Sequence, residues 1–354
     1  MKVNLYDDYY CGGYMIRVIK QAQCDDRKLF NIATSLYLYP TAILAHHFGI
    51  FEYIAKDNKS PSEICAFIGI ELRSVEVVMA VVLALELVEF EDGRYRLTKV
   101  TEEFLLKESP NYCGYYWDLI YSTGDNFSLA NLENVMRKSE IQEEGKENLF
   151  EESIYSTEKA EAFTKAMHGI SIGAASVWPN KLNLANYHCM LDIGGGSGIH
   201  SVGAVTRWPH LRATIYDLAP VGRITAGFIK SYGLEESISI HIGDMWSGSY
   251  PDADLHFYSN VLHDWPEQKN VFLTQKSYDA LPHGGRIIIH EILFNGDIPG
   301  PLAVAGFNVT MLSWSQGKQY SFSEIKQLLH RAGFRDIEII PASGYFSLIT
   351  GIKP

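Results

Sequence analysis

Paired cysteines are missing from this chain. Cys11, Cys24, Cys65, Cys113 and Cys189 are odd in number, scattered, and never spaced as C-x-x-C. That distribution argues against a disulfide framework or a zinc knuckle and for reduced thiols. Long apolar runs are missing too: the longest, Val77 to Leu85, falls far short of the ~20 residues a membrane-spanning helix needs. The amino-terminal region carries Asp7, Asp8, Asp25 and Asp26 where a secretory signal would show a basic and then an apolar run. Positive charge is scarce, with 30 Lys and Arg against 42 Asp and Glu and a net charge of -12. Such a surface repels phosphate backbones and anionic lipid. No internal repeat or low-complexity tract occurs. A cytoplasmic protein without nucleic-acid or membrane partners is expected.

The 354 residues are enough for one large domain or two ordinary ones, and an apolar fraction of 47% supports a sizeable core. Residues 1 to 30 are polar without clear periodicity and read as an arm or a partly disordered segment. Helical spacing runs from Phe30 to Ile54, with Pro40 and Gly49 as expected punctuation. Ser60-Pro61-Ser62-Glu63 is a helix start with a capping box. A second amphipathic helix is expected from about Arg73 or Ser74 to Val88, followed by a hairpin over Glu89–Leu97 turning at Asp92-Gly93. Three helices and a hairpin are the order of a winged-helix unit. DNA binding is a poor reading of it, because the would-be recognition helix pits Glu76 and Glu86 against a single Arg73 around an apolar body; a packing and dimerisation module is the better one. Residues 99 to 180 are mainly helical and aromatic, with an acidic solvated stretch around Glu140 to Glu152.

From Cys189 the pattern changes to short apolar runs between helical segments. Strands are expected at Met190–Ile193, Ala213–Tyr216, Ile238–Ile242, Leu255–Ser259, Arg286–Glu291, Asp336–Ile340 and Tyr345–Gly351. Strands alternating with helices imply an α/β fold with a doubly wound, mostly parallel sheet, whose ligands bind at the strand carboxyl ends.

Two motifs carry chemistry. Leu191-Asp192-Ile193-Gly194-Gly195-Gly196-Ser197-Gly198 follows a strand and precedes a helix, the context of a nucleotide-binding turn. A dinucleotide fingerprint counted from Gly194 needs glycine at 199, where Ile199 stands, so a nicotinamide cofactor is disfavoured. Asp192, Asp217 and Asp244 fall at three successive strand ends. Pyrophosphate would be repelled there, whereas a ligand combining adenosine with positive charge, a sulfonium, would be welcomed. The second motif, Leu262-His263-Asp264-Trp265, sets an imidazole at another strand end. A phenol has a pKa near ~10 and an imidazole near ~6.5, so neutral imidazole can take the proton as the oxygen attacks a methyl carbon. Asp264 can fix that imidazole or the loop, or cap the helix that follows; Trp265-Pro266 begins that helix.

Leu191–Gly198, Tyr216-Asp217-Leu218, Gly243-Asp244-Met245 and Asn260–Trp265 resemble the class I S-adenosylmethionine-dependent O-methyltransferases. The likeness is to the small-molecule group that includes plant caffeic-acid-type, bacterial antibiotic-tailoring and acetylserotonin enzymes, and it covers nearly all of the chain after residue 30. It implies a Rossmann-like sheet with an N-terminal, mainly helical winged-helix domain. The implied boundaries are 1–105 for a homodimerising winged helix, 106–180 for a helical connector lining the acceptor pocket, and 181–354 for the S-adenosylmethionine-binding catalytic domain.

By the same resemblance Asp192, Gly194 and Gly196 shape the methionine end of the cofactor site, Asp217 and Leu218 the ribose, and Asp244 and Met245 the adenine. Ser259, also assigned to that site, stands where many plant members carry lysine. His263 matches the general base, with Glu291 orienting it and Asp264 beside it. Met167, His168, Asn308, Met311, Leu312 and Trp314 fall in regions that line a small aromatic acceptor, though a Met or Trp stripe at helical spacing is more often a core feature. S-adenosylhomocysteine would be the product. Where many relatives read Gly-Lys-Glu-Arg-Thr, this chain has Gly317-Lys318-Gln319-Tyr320-Ser321, so a carboxylate near the base is replaced by an amide. Some C-methylating relatives hold iron with a later histidine; none lies between His290 and His330, and no metal site is expected. Carbon or nitrogen methylation, a non-methylating relative, a nicotinamide-dependent oxidoreductase and a winged-helix regulator are the rival readings.

Overall fold

The computed structural model describes residues 6–11, 14–19, 21–137, 156–296 and 298–354. The chain begins with a strand pair, β1 (Tyr6–Cys11) and β2 (Tyr14–Ile19), antiparallel with Tyr6 opposite Ile19. Two paired strands thus lie within the segment read as an arm or a partly disordered one. Helix α1 (Arg27–His47) runs straight through Pro40, which does not punctuate it, while Gly49, at φ +71°, separates it from α2 (Ile50–Lys56). Helix α3 (Pro61–Ile68) starts as expected. The Ser60 side chain accepts from the Glu63 backbone N–H, and the Glu63 carboxylate accepts from the Ser60 backbone N–H at 2.9 Å. Helix α4 (Leu72–Ala84) stops short of Val88, because Glu86 takes a left-handed turn at φ 58° and Val88 already opens a strand. That strand, β3 (Val88–Glu91), pairs with β4 (Arg94–Leu97) through left-handed Asp92 and Gly93, the turn that Asp-Gly favours. Ile50, Phe51, Ile54, Ile64, Val75, Met79 and Val82 share one buried cluster with Val88 and Tyr95 of the hairpin.

Short α5 (Lys99–Phe104) leads to α6 (Gly114–Thr123) and α7 (Leu129–Arg137). The acidic stretch around Glu140 to Glu152 lies outside the described residues. Helix α8 (Thr157–Val177) then packs between α6 and the first helix of the sheet region.

That region is a seven-stranded sheet. In chain order its strands are β5 (Cys189–Ile193), β6 (Arg212–Asp217), β7 (Ile238–Ile242), β8 (Leu255–Ser259), β9 (Arg286–Ile292), β10 (Arg335–Pro341) and β11 (Phe346–Ile352). In space they run β7-β6-β5-β8-β9-β11-β10, the first five parallel and the last two antiparallel. All seven were anticipated within a residue or two. Interspersed are α9 (Ile199–Arg207), α10 (Ala219–Tyr232), α11 (Glu267–Ala280), α12 (Leu302–Trp314) and α13 (Phe322–Ala332).

Alternating strand residues feed two cores, one on each face. Leu191, Ile193, Tyr258, Ile287 and Ile289 meet Leu273 of α11 and Leu328 and Leu329 of α13. Met190, Phe257, Leu255 and Ile288 meet Val202 and Val205 of α9 and Trp178. Burial on both faces explains why these strands read as continuous apolar runs. Strand order reverses beside β5, so the carboxyl ends of β5 and its neighbours open a crevice there.

The α8–α9 crossing tolerates no side chain at Gly203, where a Cβ would stand 2.1 Å from the Ala175 carbonyl oxygen, whereas one at Gly227 of α10 would meet open space. Gly203→Ala is therefore expected to cost about 1–3 kcal/mol through overpacking. Gly227→Ala is expected to gain about 0.5–1 kcal/mol. Urea unfolding midpoints check both, and midpoints moving in one direction would contradict the packing account.

Candidate active site

The glycine turn is built on backbone conformations that side chains resist: Gly194, Gly196 and Gly198 take φ values of +67°, +55° and +77°. At Gly195 a Cβ would press within 2.8 Å of the Asp192 Cγ, while at Gly196 it would face open space. Asp192 is 2% exposed, and its Oδ2 accepts from the Ser201 hydroxyl at 2.7 Å. Burial pushes its pKa up to about 7, against the pull of Ser201. The Asp217 carboxylate clamps the turn from β6, accepting from Gly196 N–H at 2.8 Å and Leu218 N–H at 2.7 Å. Burial raises its pKa as well. Thr225 of α10 closes the ring by donating to the Gly196 carbonyl at 2.6 Å. Asp244 accepts from Trp246 N–H and the Ser247 hydroxyl, both at 2.9 Å, so it also serves its own turn. Met245 beside it is half-buried against the sheet core, and its carbonyl accepts from the Lys276 ammonium at 2.5 Å.

Ser259 is held between two histidines. Its hydroxyl lies 3.0 Å from His200 Nε2 and 2.9 Å from His290 Nδ1. Burial keeps both imidazoles neutral, that of His200 down to about 3. The hydroxyl thus braces the strand end from inside. The following residue, Asn260, takes φ 54° and carries a buried Oδ1 with no partner among the described residues. Asn is among the few side chains that accept this conformation readily.

The three-residue turn Leu262–Asp264 holds the imidazole. His263 is 5% exposed, and its Nδ1 lies 2.6 Å from Glu291 Oε2 on β9. The other oxygen of Glu291 accepts from Leu262 N–H at 3.1 Å and, more weakly, from His263 N–H at 3.4 Å. One carboxylate therefore orients both the ring and the turn that carries it. Asp264 Oδ1 lies 3.6 Å from His263 Nε2. The helix-capping alternative for Asp264 does not hold, since Pro266 is the N-cap of α11. Burial alone would lower the His263 pKa, but the charges of Glu291 and Asp264 and the Glu291 hydrogen bond outweigh it and raise it to about 9. Burial lifts Asp264 to about 7, against the attraction of His263. The neighbouring carboxylates thus favour the imidazolium, whereas the base role expected of this residue needs the uncharged ring.

The acceptor-side residues divide. Phe307 of α12 presents its ring edge-on to His263, with centroids 5.9 Å apart. Asn308 accepts from Gln319 N–H at 2.7 Å, and Met311 is buried one turn on. Trp314 packs edge-on against Phe127 in a cluster with Leu119 and Met167. Leu312, at 42% exposure, points outward. His168 lies with the glycine turn: its Nδ1 is 3.0 Å from Ser197 Oγ, and its ring stacks on Phe228 of α10. Ser201, His200 and Thr225 were not anticipated, and Asn260 entered only as the first residue of the Asn260–Trp265 motif. Only Asn260 carried a local signal, an asparagine directly after a strand.

Chemically, the crevice suits a cationic nucleoside. It offers carboxylates at three strand ends, that of Asp192 buried and those of Asp217 and Asp244 half-buried, with an open face at Gly196 and an acceptor oxygen on Asn260 in need of a donor. Among the described residues no group of three or more His, Cys, Asp or Glu is arranged to hold a metal ion, and no helix is long and apolar enough to cross a membrane.

A family model described as an O-methyltransferase domain matches residues 134–335. The chain is 27% identical over 330 residues to a 3-hydroxy-5-methyl-1-naphthoate 3-O-methyltransferase of Streptomyces sahachiroi, covering 92% of this chain and 94% of that protein. It is 28% identical over 316 residues to an L-tyrosine C(3)-methyltransferase of Streptomyces lavendulae, covering 86% of this chain and 85% of that protein. The fold superposes on human N-acetylserotonin methyltransferase, crystallised in complex with S-adenosylmethionine, with a TM-score of 0.82 at 24% identity, covering 94% and 99% of the two chains. With the domain match spanning more than half of its length, this chain belongs to the S-adenosylmethionine-dependent O-methyltransferase family.

Proposed function

We propose that the protein transfers a methyl group from S-adenosylmethionine to a hydroxyl, phenolic in kind, of a small aromatic or polyketide-like metabolite, with His263 as the base. The observation that carries this reading is the buried His263–Glu291 pair, 2.6 Å apart, on the turn that follows β8, the strand paired with the one that carries Asp192. When bound, the cofactor supplies an electrophilic methyl on a sulfonium. Asp192 with Gly194 and Gly196 would hold its methionine end, Asp217 and Leu218 the ribose, and Asp244 and Met245 the adenine. Met167, Asn308 and Met311 would line the acceptor, Ser259 would brace the cofactor floor, and His168 would support the glycine turn.

Glu291 fixes Nδ1 as the protonated nitrogen and turns Nε2 toward the acceptor. Nε2 must first release to solvent the proton that the neighbouring carboxylates favour, a loss that a bound sulfonium would favour by charge repulsion. The acceptor oxygen then gives its proton to Nε2 as it attacks in line. Positioning supplies much of the rate, since a near-attack arrangement alone can contribute ~7–11 kcal/mol. A carbon acceptor is the second reading, favoured by the C-methylating relative.

The boundaries 1–105, 106–180 and 181–354 describe a dimerisation unit, a connector and a catalytic unit in this reading. The amino-terminal half of α1 exposes Leu29, Phe30, Ile32, Leu36 and Tyr37, each at 59% or more. A second copy of the chain would cover that face. The free thiols of Cys24, Cys65, Cys113 and Cys189 suit the cytoplasm.

Four outcomes follow. His263→Ala should lower kcat by about 10²–10⁴ while S-adenosylmethionine affinity is kept; calorimetry showing lost cofactor binding would reassign the residue. The pH–rate profile should rise through a limb displaced above the usual imidazole range toward 9, and Glu291→Gln should move that limb down while slowing turnover; an unmoved limb refutes the pairing. Cofactor affinity should increase with pH through about 7 as Asp192 ionises, because the charged carboxyl is the form that holds a cation. Asp192→Asn should flatten that dependence and weaken binding by about tenfold or more. Lastly, light scattering should find a dimer that Phe30→Asp with Leu36→Asp dissociates; a monomeric wild type would contradict the dimer.

A further inference from the structure

Gln319 is at 0% exposure, and neither its Oε1 nor its Nε2 has a hydrogen-bond partner among the described residues. A side-chain amide withdrawn from water with both ends unpaired is costly, and native interiors seldom keep one without a use for it.

Its surroundings indicate the use. The segment that carries Gln319 is pressed against the catalytic turn: a Cβ on Gly317 would stand 2.2 Å from the His263 carbonyl oxygen and 2.5 Å from Trp265 N. Gln316 N–H donates to the Asp264 carbonyl at 3.0 Å. The backbone N–H of Gln319 donates to Asn308 Oδ1 on α12, next to the Phe307 ring that meets His263 edge-on. Its sequence neighbours already have partners. Lys318 pairs with Glu324 at the surface, and the Tyr320 hydroxyl donates to the Trp265 carbonyl at 2.8 Å. Gln319 and Tyr320 are thus both turned inward beside the His263 turn, and of the two it is Gln319 whose side-chain polar atoms have no partner among the described residues. A second unpaired group, the indole Nε1 of Trp314, is buried at the end of α12.

We propose that Gln319 is the specificity-determining contact of the acceptor site, its carboxamide pairing with a neutral substituent that both donates and accepts hydrogen bonds. A carboxamide, or a hydroxyl–carbonyl pair, adjoining the oxygen to be methylated has that chemistry. The inference rests on the methyl-transfer reading above. An amide donates through Nε2 and accepts through Oε1, so only a partner with both functions satisfies it. An ionised carboxylate would leave Oε1 unpaired and would meet the charge of Glu291 and Asp264. An acceptor lacking any such group leaves both ends bare, the situation in which polar sites discriminate most strongly.

The test compares an ortho-hydroxynaphthamide with the matching naphthol. In wild-type protein saturated with S-adenosylhomocysteine, calorimetry should find the amide bound at least about tenfold more tightly. In Gln319→Met, an apolar side chain of similar length, that preference should collapse, as should the ratio of kcat/KM for the two probes measured by S-adenosylhomocysteine release. Equal binding of the two probes by the wild type overturns the proposal, as does a ratio unchanged in the variant. S-adenosylhomocysteine binding without turnover of either probe would defeat the methyl-transfer reading instead, and the calorimetric preference still decides the role of Gln319.

Discussion

Glu291 is the group on which the site depends. It sits on β9, 2% exposed, and gives one oxygen to the imidazole of His263 and the other to the backbone of the turn that carries it. A buried carboxylate without those partners would be too costly to keep charged. The imidazolium of His263 offsets that cost, and the N–H groups of residues 262 and 263 share it. The arrangement thereby fixes the orientation of the ring, and the raised pKa of the imidazole is the electrostatic consequence. Under the proposed function, a bound sulfonium would destabilise that ion pair, so that cofactor binding and activation of the base would be linked through charge.

The opposite wall follows similar physics. Burial raises the pKa of both Asp192 and Asp217, and a cationic ligand in the crevice would favour their ionised forms. The glycine turn can approach such a ligand because Asp217 holds it from below through Gly196 and Leu218, and Thr225 through the Gly196 carbonyl. His168 ties the same turn to α8 through Ser197, which links the helix on the acceptor side to the cofactor loop.

Much of this was legible in the residues. The sheet strands announce themselves because alternate residues fill cores on both faces, leaving nearly unbroken apolar runs such as Leu255–Ser259. The capping box at Ser60 and the Asp92-Gly93 turn are local chemistry and stand as expected. The motif histidine and its distant carboxylate could be paired only through family resemblance, since 28 residues separate them. What stayed hidden depends on tertiary contact. The His200–Ser259–His290 brace joins three elements, and Ser201 reaches Asp192 only because α9 folds back over β5. The lost carboxylate at Gln319 was visible as a change of residue type, but its burial without partners was not. The early end of α4 reflects a left-handed Glu86, for which the residue type gave no warning.

The charge state of His263 is the most direct point at which to test this account. Nitrogen-15 NMR of the imidazole across pH should find the ring protonated on both nitrogens at neutrality in the free protein, losing its proton only toward pH 9, with the Nδ1 proton retained. A ring already neutral at pH 7, or one whose Nδ1 carries no proton, would contradict the claim that Glu291 both orients and charges the base.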